Sequence, residues 1–195
     1  MAASPRVQPH WDSNRRCWVA PVGPGEFCVS SEDTLLLTTL LGSCVTACIY
    51  DVQAGIGGMN HFLLPLAVGE RGYRSPATRY GAYAMEVLVN ELLKHGALRR
   101  NLRAKVFGGA SLLEHRASVG AMNVEFVTRY LFDEGIPLTS WDTGGELPRK
   151  LEFFPRTGRV RLKKLRRDGT GLGRREAEYL ASLERKPPSG DVELF

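Results

Sequence analysis

Apolar positions along this chain cluster in short runs, and only two stretches carry a helical period. "DTLLLTTL" (33–40) is rich in Leu and Thr and too short for an ordinary helix, so it reads as a buried strand. "CVTACIY" (44–50) and "GMNHFLLP" (58–65) read as two more strands joined through the turn-prone "DVQAG", a candidate hairpin. From Tyr80 to His95 the period changes: Gly81, Met85, Leu88 and Leu92 share one helical face, with Thr78 as cap and Gly96 as stop. "LRAKVFGGASL" returns to a strand ending in a Gly-Gly turn. Val124, Val127 and Leu131 mark a second helix over Asn123 to Glu134, stopped by Gly135. Strands "IPLTSWD", "KLEFF" and "RVRLKKL" follow, the last two joined by "PRTG".

Strands outnumber helices and do not alternate regularly with them, which predicts an α+β fold rather than a doubly wound sheet. Residues 1–22 lack periodicity and are expected to form an N-terminal extension, 23–166 the domain, and 167–195 a basic C-terminal tail with a short helix near "EAEYLASLE". At 195 residues and 43% apolar composition the chain is long enough for one well-buried core. No apolar run approaches the roughly 18 residues that span a bilayer, and the first thirty residues carry no hydrophobic signal segment. A cytoplasmic protein without membrane insertion is the expectation.

Net charge is +5, with basic residues concentrated in "RTGRVRLKKLRRDGTGLGRR", so an acidic partner fits. That segment has no interleaved aromatics and no nucleic-acid-binding motif, which argues against nucleic acid as the partner. The four cysteines, Cys17, Cys28, Cys44 and Cys48, are expected as free thiols, because the chain shows no export signal. No CxxC pair occurs, and Cys44-x3-Cys48 has no second pair to complete a tetrahedral zinc site.

One pair of residues carries candidate chemistry. If the hairpin turns between Val52 and Gln53, residues whose numbers sum to 105 face one another, and Cys44 is then opposite His61 on one face. A neighbouring imidazole lowers a thiol pKa and carries protons to a leaving group. Gly42 and Ser43 precede Cys44, and a tight turn there directs backbone N–H groups at a developing oxyanion. The plain alternative is a buried cysteine and a hydrogen-bonded core histidine, and the residues by themselves leave both open.

Taken together and in order, "TTLLGSCVTACIYD", "GIGGMNHFLLP", "RYGAYAMEVLVNELLKHGA", "AKVFGGASL", "VGAMNVEFV" and "WDTGG…RKLEFFPRTGRVRLKKL" resemble the chemoreceptor glutamine deamidase family (CheD). The resemblance spans roughly residues 24 to 165. It implies packed mixed β-sheets with a sandwich-like core flanked by helices, similar to bacterial toxin deamidases. It implies hydrolysis of particular glutamine side chains of methyl-accepting chemotaxis receptors, with Cys44 as nucleophile, His61 as acid and base, and Thr38, six positions before the cysteine, as orienting residue. Ser43 and Gly42 would supply backbone support. No cofactor or metal is implied, and CheC phosphatase is a further candidate partner. Pro148 departs from the glycine more usual in the family. A silent adaptor that binds receptor or CheC, and a thiol redox sensor, are the competing functions.

Overall fold

The computed structural model describes residues 1–4, 6–64, 76–111 and 117–166, and the single positions 171, 174, 178 and 181. Eleven strands in the described residues form two mixed sheets. The first sheet contains β1 (Ala2–Ala3), β4 (Glu26–Ser30), β7 (Ile56–His61), β6 (Val45–Asp51), β8 (Arg103–Gly108) and β9 (Leu138–Thr143), in that spatial order. The second contains β11 (Arg159–Lys164), β10 (Arg149–Phe154), β5 (Leu35–Leu41), β3 (Cys17–Pro21) and β2 (His10–Asp12). Most neighbours run antiparallel; β8 with β9 and β3 with β5 are parallel.

The central strands β6 and β7 of the first sheet are buried on both faces, and strand alternation assigns each side chain to a layer. Val45, Ala47, Ile49 and Phe62 pack with Met85, Leu88 and Leu92 of α1 (Pro76–Lys94) and with Val127 and Leu131 of α2 (Ala117–Asp133). On the other face Cys28, Cys44, Cys48, Met59, Leu63 and Phe107 meet Leu35, Leu37, Leu41, Leu151 and Phe153 of the second sheet. The result is a helix layer over two stacked sheets, the expected α+β sandwich-like core.

Four local expectations need correction. Residues 1–22 do not stand apart from the domain: they supply β1 to one sheet and β2 and β3 to the other, β3 pairing in parallel with β5. These strands are too short for a period to show. The hairpin pairs Cys48 with Met59 and Asp51 with Ile56, so facing residues sum to 107 rather than 105. Its turn falls later than expected because Asp51 Oδ1 accepts the Gln53 and Ala54 N–H groups at 2.9 and 3.1 Å, and Gly55 takes the left-handed φ of 64° that closes it. Helix α1 starts at Pro76, whose missing N–H suits a first turn, so Thr78 lies within the helix rather than capping it. Helix α2 starts at Ala117, which places Asn123 inside it.

Gly96 and Gly135 follow the two helices with φ of 100° and 65°, as expected of C-terminal stops. The expected short helix near residues 176–184 falls almost wholly outside the described residues. Among the described residues, no helix is long and apolar enough to cross a membrane.

Candidate functional site

Cys44 lies just before β6, on the bend that Gly42 and Ser43 make out of β5. All three carbonyls of this bend are tied to the β8–α2 side of the molecule. Ala110 N–H donates to Gly42 O at 2.7 Å, Asn123 Nδ2 to Ser43 O at 2.9 Å, and Gly109 N–H to Cys44 O at 2.8 Å. This approach needs glycine: a Cβ at Gly108 would collide with Cys44 O, and one at Gly120 of α2 with Gly109 O. Cys44 itself is fully buried.

His61 ends β7 and is 3% exposed. Its parity matches Met59 and Leu63, so the imidazole shares the intersheet face with Cys44. The single bridge Val45–Phe62 continues the observed register, with paired bonds of 3.0 Å in each direction. One step further, Cys44 opposes Leu63, and His61 opposes Thr46. Cys44 and His61 are therefore diagonal rather than directly opposed neighbours, still within reach of an imidazole.

Between that bridge and Cys48–Met59 the regular ladder is replaced by side chains. Thr46 Oγ1 donates to Asn60 O, and Ala47 N–H donates to Asn60 Oδ1 at 3.0 Å. The Asn60 amide in turn donates to Ala84 O of α1 at 3.0 Å. Helix α1 is thereby tied to the residue preceding His61.

The tautomer of His61 follows from its partners. Nδ1 lies 2.8 Å from Thr39 Oγ1 and 3.3 Å from Val22 O. Thr39 commits its only hydroxyl proton to Val22 O at 2.7 Å, so its oxygen accepts at Nδ1. Val22 O can only accept. Nδ1 therefore carries the proton in the neutral ring, and Nε2 holds the basic lone pair.

Thr39, five positions before Cys44, and not the Thr38 that the resemblance implies, is thus the threonine in hydrogen-bond contact with His61. The reason is the pleat. Leu35, Leu37, Thr39 and Leu41 face the first sheet, whereas Thr38 lies on the opposite face of β5, between Pro21 and Glu152. The structure brings Cys44, Ser43, Gly42 and His61 to one end of the intersheet layer and turns Thr38 away from it.

Sequence reasoning also passed over Val22, Asn60 and Asn123. Val22 belongs to the segment read as an extension. Asn123 left a signal: it stands four residues before Val127 and eight before Leu131, a polar residue on an otherwise apolar stripe, and it is fully buried. No group of three or more His, Cys, Asp or Glu that could hold a metal occurs among the described residues.

The fold and site together define a layered α+β protein with a bend-borne cysteine and a threonine-held histidine between its two sheets. A family model described as CheD chemotactic sensory transduction matches residues 63–164, somewhat more than half of the chain, beginning two residues after His61. Full-length relatives extend the match across the N-terminal part. A protein of Halorhodospira halophila named "Probable chemoreceptor glutamine deamidase CheD" is 43% identical over 97% of this chain and 90% of its own. Proteins with the same name from Caulobacter vibrioides and Thiobacillus denitrificans are each 47% identical over 95% of this chain and cover 98% and 94% of their own. The chain belongs to the CheD family. Among solved structures, Bacillus licheniformis hypothetical protein YfiH aligns over 60% of this chain and 49% of its own, at 14% identity and a TM-score of 0.39.

Proposed function

We propose that this protein is a cytoplasmic protein-glutamine deamidase, a hydrolase that converts glutamine side chains of chemoreceptors to glutamate with release of ammonia and so adjusts chemotactic signalling. Its relatives carry that activity in their names. The observation that carries the reading is the contact of His61 Nδ1 with Thr39 Oγ1 and Val22 O, from which we assign the proton to Nδ1 and the role of base to Nε2 on the face shared with Cys44.

In this reading His61 Nε2 takes the Cys44 proton, and the thiolate adds to the side-chain amide carbon. The carbonyl oxygen becomes an oxyanion facing the N–H groups of Ser43 and Cys44. The imidazolium returns its proton to nitrogen as the C–N bond breaks, so ammonia leaves and a thioester remains. Water then gives a proton to Nε2 and its oxygen to the carbonyl, and the thiolate departs from the new carboxylic acid. Thr39 and Val22 O hold Nδ1–H throughout, which stabilises the imidazolium. An acidic receptor surface suits the chain's +5 charge. CheC is a candidate second partner.

Incubation with a chemoreceptor cytoplasmic fragment is expected to add about 1 Da at one or more glutamines, as OH replaces NH2. Unchanged receptor mass, or equal conversion by Cys44→Ala, would remove the deamidase reading in favour of a silent adaptor. A redox sensor is disfavoured because burial pushes the Cys28 thiol up to about 12. Burial also lifts Cys48 well above the ordinary thiol range, against the opposing influence of Lys105 and Thr46, so neither is a ready resolving thiol.

A further inference from the structure

Asn123 reaches from α2 to both the bend before β6 and the segment after β7. Its Nδ2 donates to Ser43 O at 2.9 Å, and its Oδ1 accepts Leu64 N–H at 2.8 Å. The amide can sit only this way round, since the Leu64 N–H has no acceptor lone pair to offer. In a trans peptide the carbonyl and the following N–H point in opposite directions. A tie on Ser43 O therefore sets the direction of Cys44 N–H. The preceding peptide is set in the same manner, Ala110 N–H on Gly42 O aiming Ser43 N–H. One of the two peptide planes is thus held by main chain and the other by a side chain that mutation can remove.

We propose that Asn123 is a positioning residue of the reaction: by holding the Ser43 carbonyl it keeps Cys44 N–H aimed at the oxygen that becomes negative when Cys44 adds to the amide. This rests on the deamidase reading. It makes Asn123 act on the transition state, because the neutral substrate carbonyl gains much less from an aligned donor than the oxyanion does.

Asn123→Asp tests it in the full chain with a chemoreceptor cytoplasmic fragment as substrate. The aspartate keeps the size of the side chain and the acceptor for Leu64 N–H, but when ionised it has no donor for Ser43 O. Its neutral form, favoured by burial, regains one. The expected result at about pH 9 is a kcat lowered at least tenfold with KM within about twofold, the deficit narrowing as pH falls toward about 6. A deficit that is equal at every pH, that lies in KM, or that is absent overturns the proposal.

Asn123→Ala checks the same point without charge. Iodoacetamide alkylates a thiolate by displacement and forms no oxyanion, so Cys44 alkylation, followed by peptide mass, should stay within about threefold of wild type while kcat falls. Parallel losses in both would assign Asn123 to the bend's general structure and overturn the proposal. If Asn123→Ala does not fold, Asn123→Asp decides alone. Wild-type protein that releases no ammonia fails one level higher, at the deamidase reading, and takes this inference with it.

Discussion

At its turn end the β6–β7 hairpin buries Asp51; at its open end it buries Thr46, Asn60 and His61. The turn end is closed on itself. Asp51 accepts Gln53 and Ala54 N–H within the turn and Leu98 N–H at 2.9 Å from the segment after α1, and the strands beside it keep a regular ladder. At the open end the ladder gives way to side-chain bonds that reach outward: Asn60 to α1, Thr39 and Val22 O to His61, Asn123 to the Cys44 bend. Burying polar groups at the turn end secures the fold. At the open end it holds a ring nitrogen and the Ser43 carbonyl beside Cys44.

The sharpest break of this comparison uses the two cysteines that share one face. Cys44→Ala is expected to lower deamidation at least about 1,000-fold, the scale of losing a nucleophile, at a stability cost like that of any other buried cysteine of this face. Cys48→Ala, four residues nearer the turn, should cost about 1–2 kcal/mol of stability and leave kcat within about twofold. Receptor mass change and thermal melts read the two outcomes. Comparable activity losses in both variants would erase the distinction between the ends.

Asp51→Ala approaches from the other side. It leaves the N–H groups of Leu98, Gln53 and Ala54 without their carboxylate, and about 1–2 kcal/mol of destabilisation is expected from denaturant unfolding. Activity measured well below the melting point should remain near wild type.

Within the open end, Thr39 and Thr38 provide the finer cut. Thr39→Val keeps the shape but removes the acceptor for Nδ1–H, so kcat should fall about 10- to 100-fold. Thr38→Val, on the far face of β5, should stay within about twofold. A reversal, with Thr38 the sensitive position, would mean that β5 is shifted by one residue when substrate is bound.

These two threonines also mark how far the sequence could be read. Cys44 and the bend at Gly42 were readable as candidates because a reactive residue type beside glycine is a local signal, and His61 because the assumed hairpin pairing put it on the face of Cys44. The α+β class was legible from the change of period at Tyr80 and Asn123. Register was not: turn closure by Asp51 and Gly55 moved the pairing sum by two, which preserves the face and so kept Cys44 and His61 together. An offset of one is less forgiving, and it separates Thr38 from Thr39. Val22 and Asn123 come from distant parts of the chain, and their roles exist only once β3 and α2 are packed against the hairpin. Pattern within a window carries no information about such ties.

The smallest expected effect separates the two ends by pH. Burial opposes ionisation of Asp51, but hydrogen bonds from Leu98, Ala54, Asn101 and Gln53 outweigh it and hold the carboxyl below the usual range. A folded pKa below the unfolded value of about 3.9 means that the contribution is fully present above roughly pH 5 and is lost as pH falls through the folded value. Asp142 behaves alike: burial again opposes, and Lys164 and Arg149 prevail. Wild-type stability should therefore decline from about pH 5 downward, and Asp51→Asn should flatten only part of that slope, the remainder belonging to Asp142 and other carboxylates. Denaturant midpoints at about pH 7 and pH 3 measure the difference. An unchanged slope in Asp51→Asn would mean that the carboxylate contributes no more to the folded state than to the unfolded chain, and the turn end would then be held by its backbone alone.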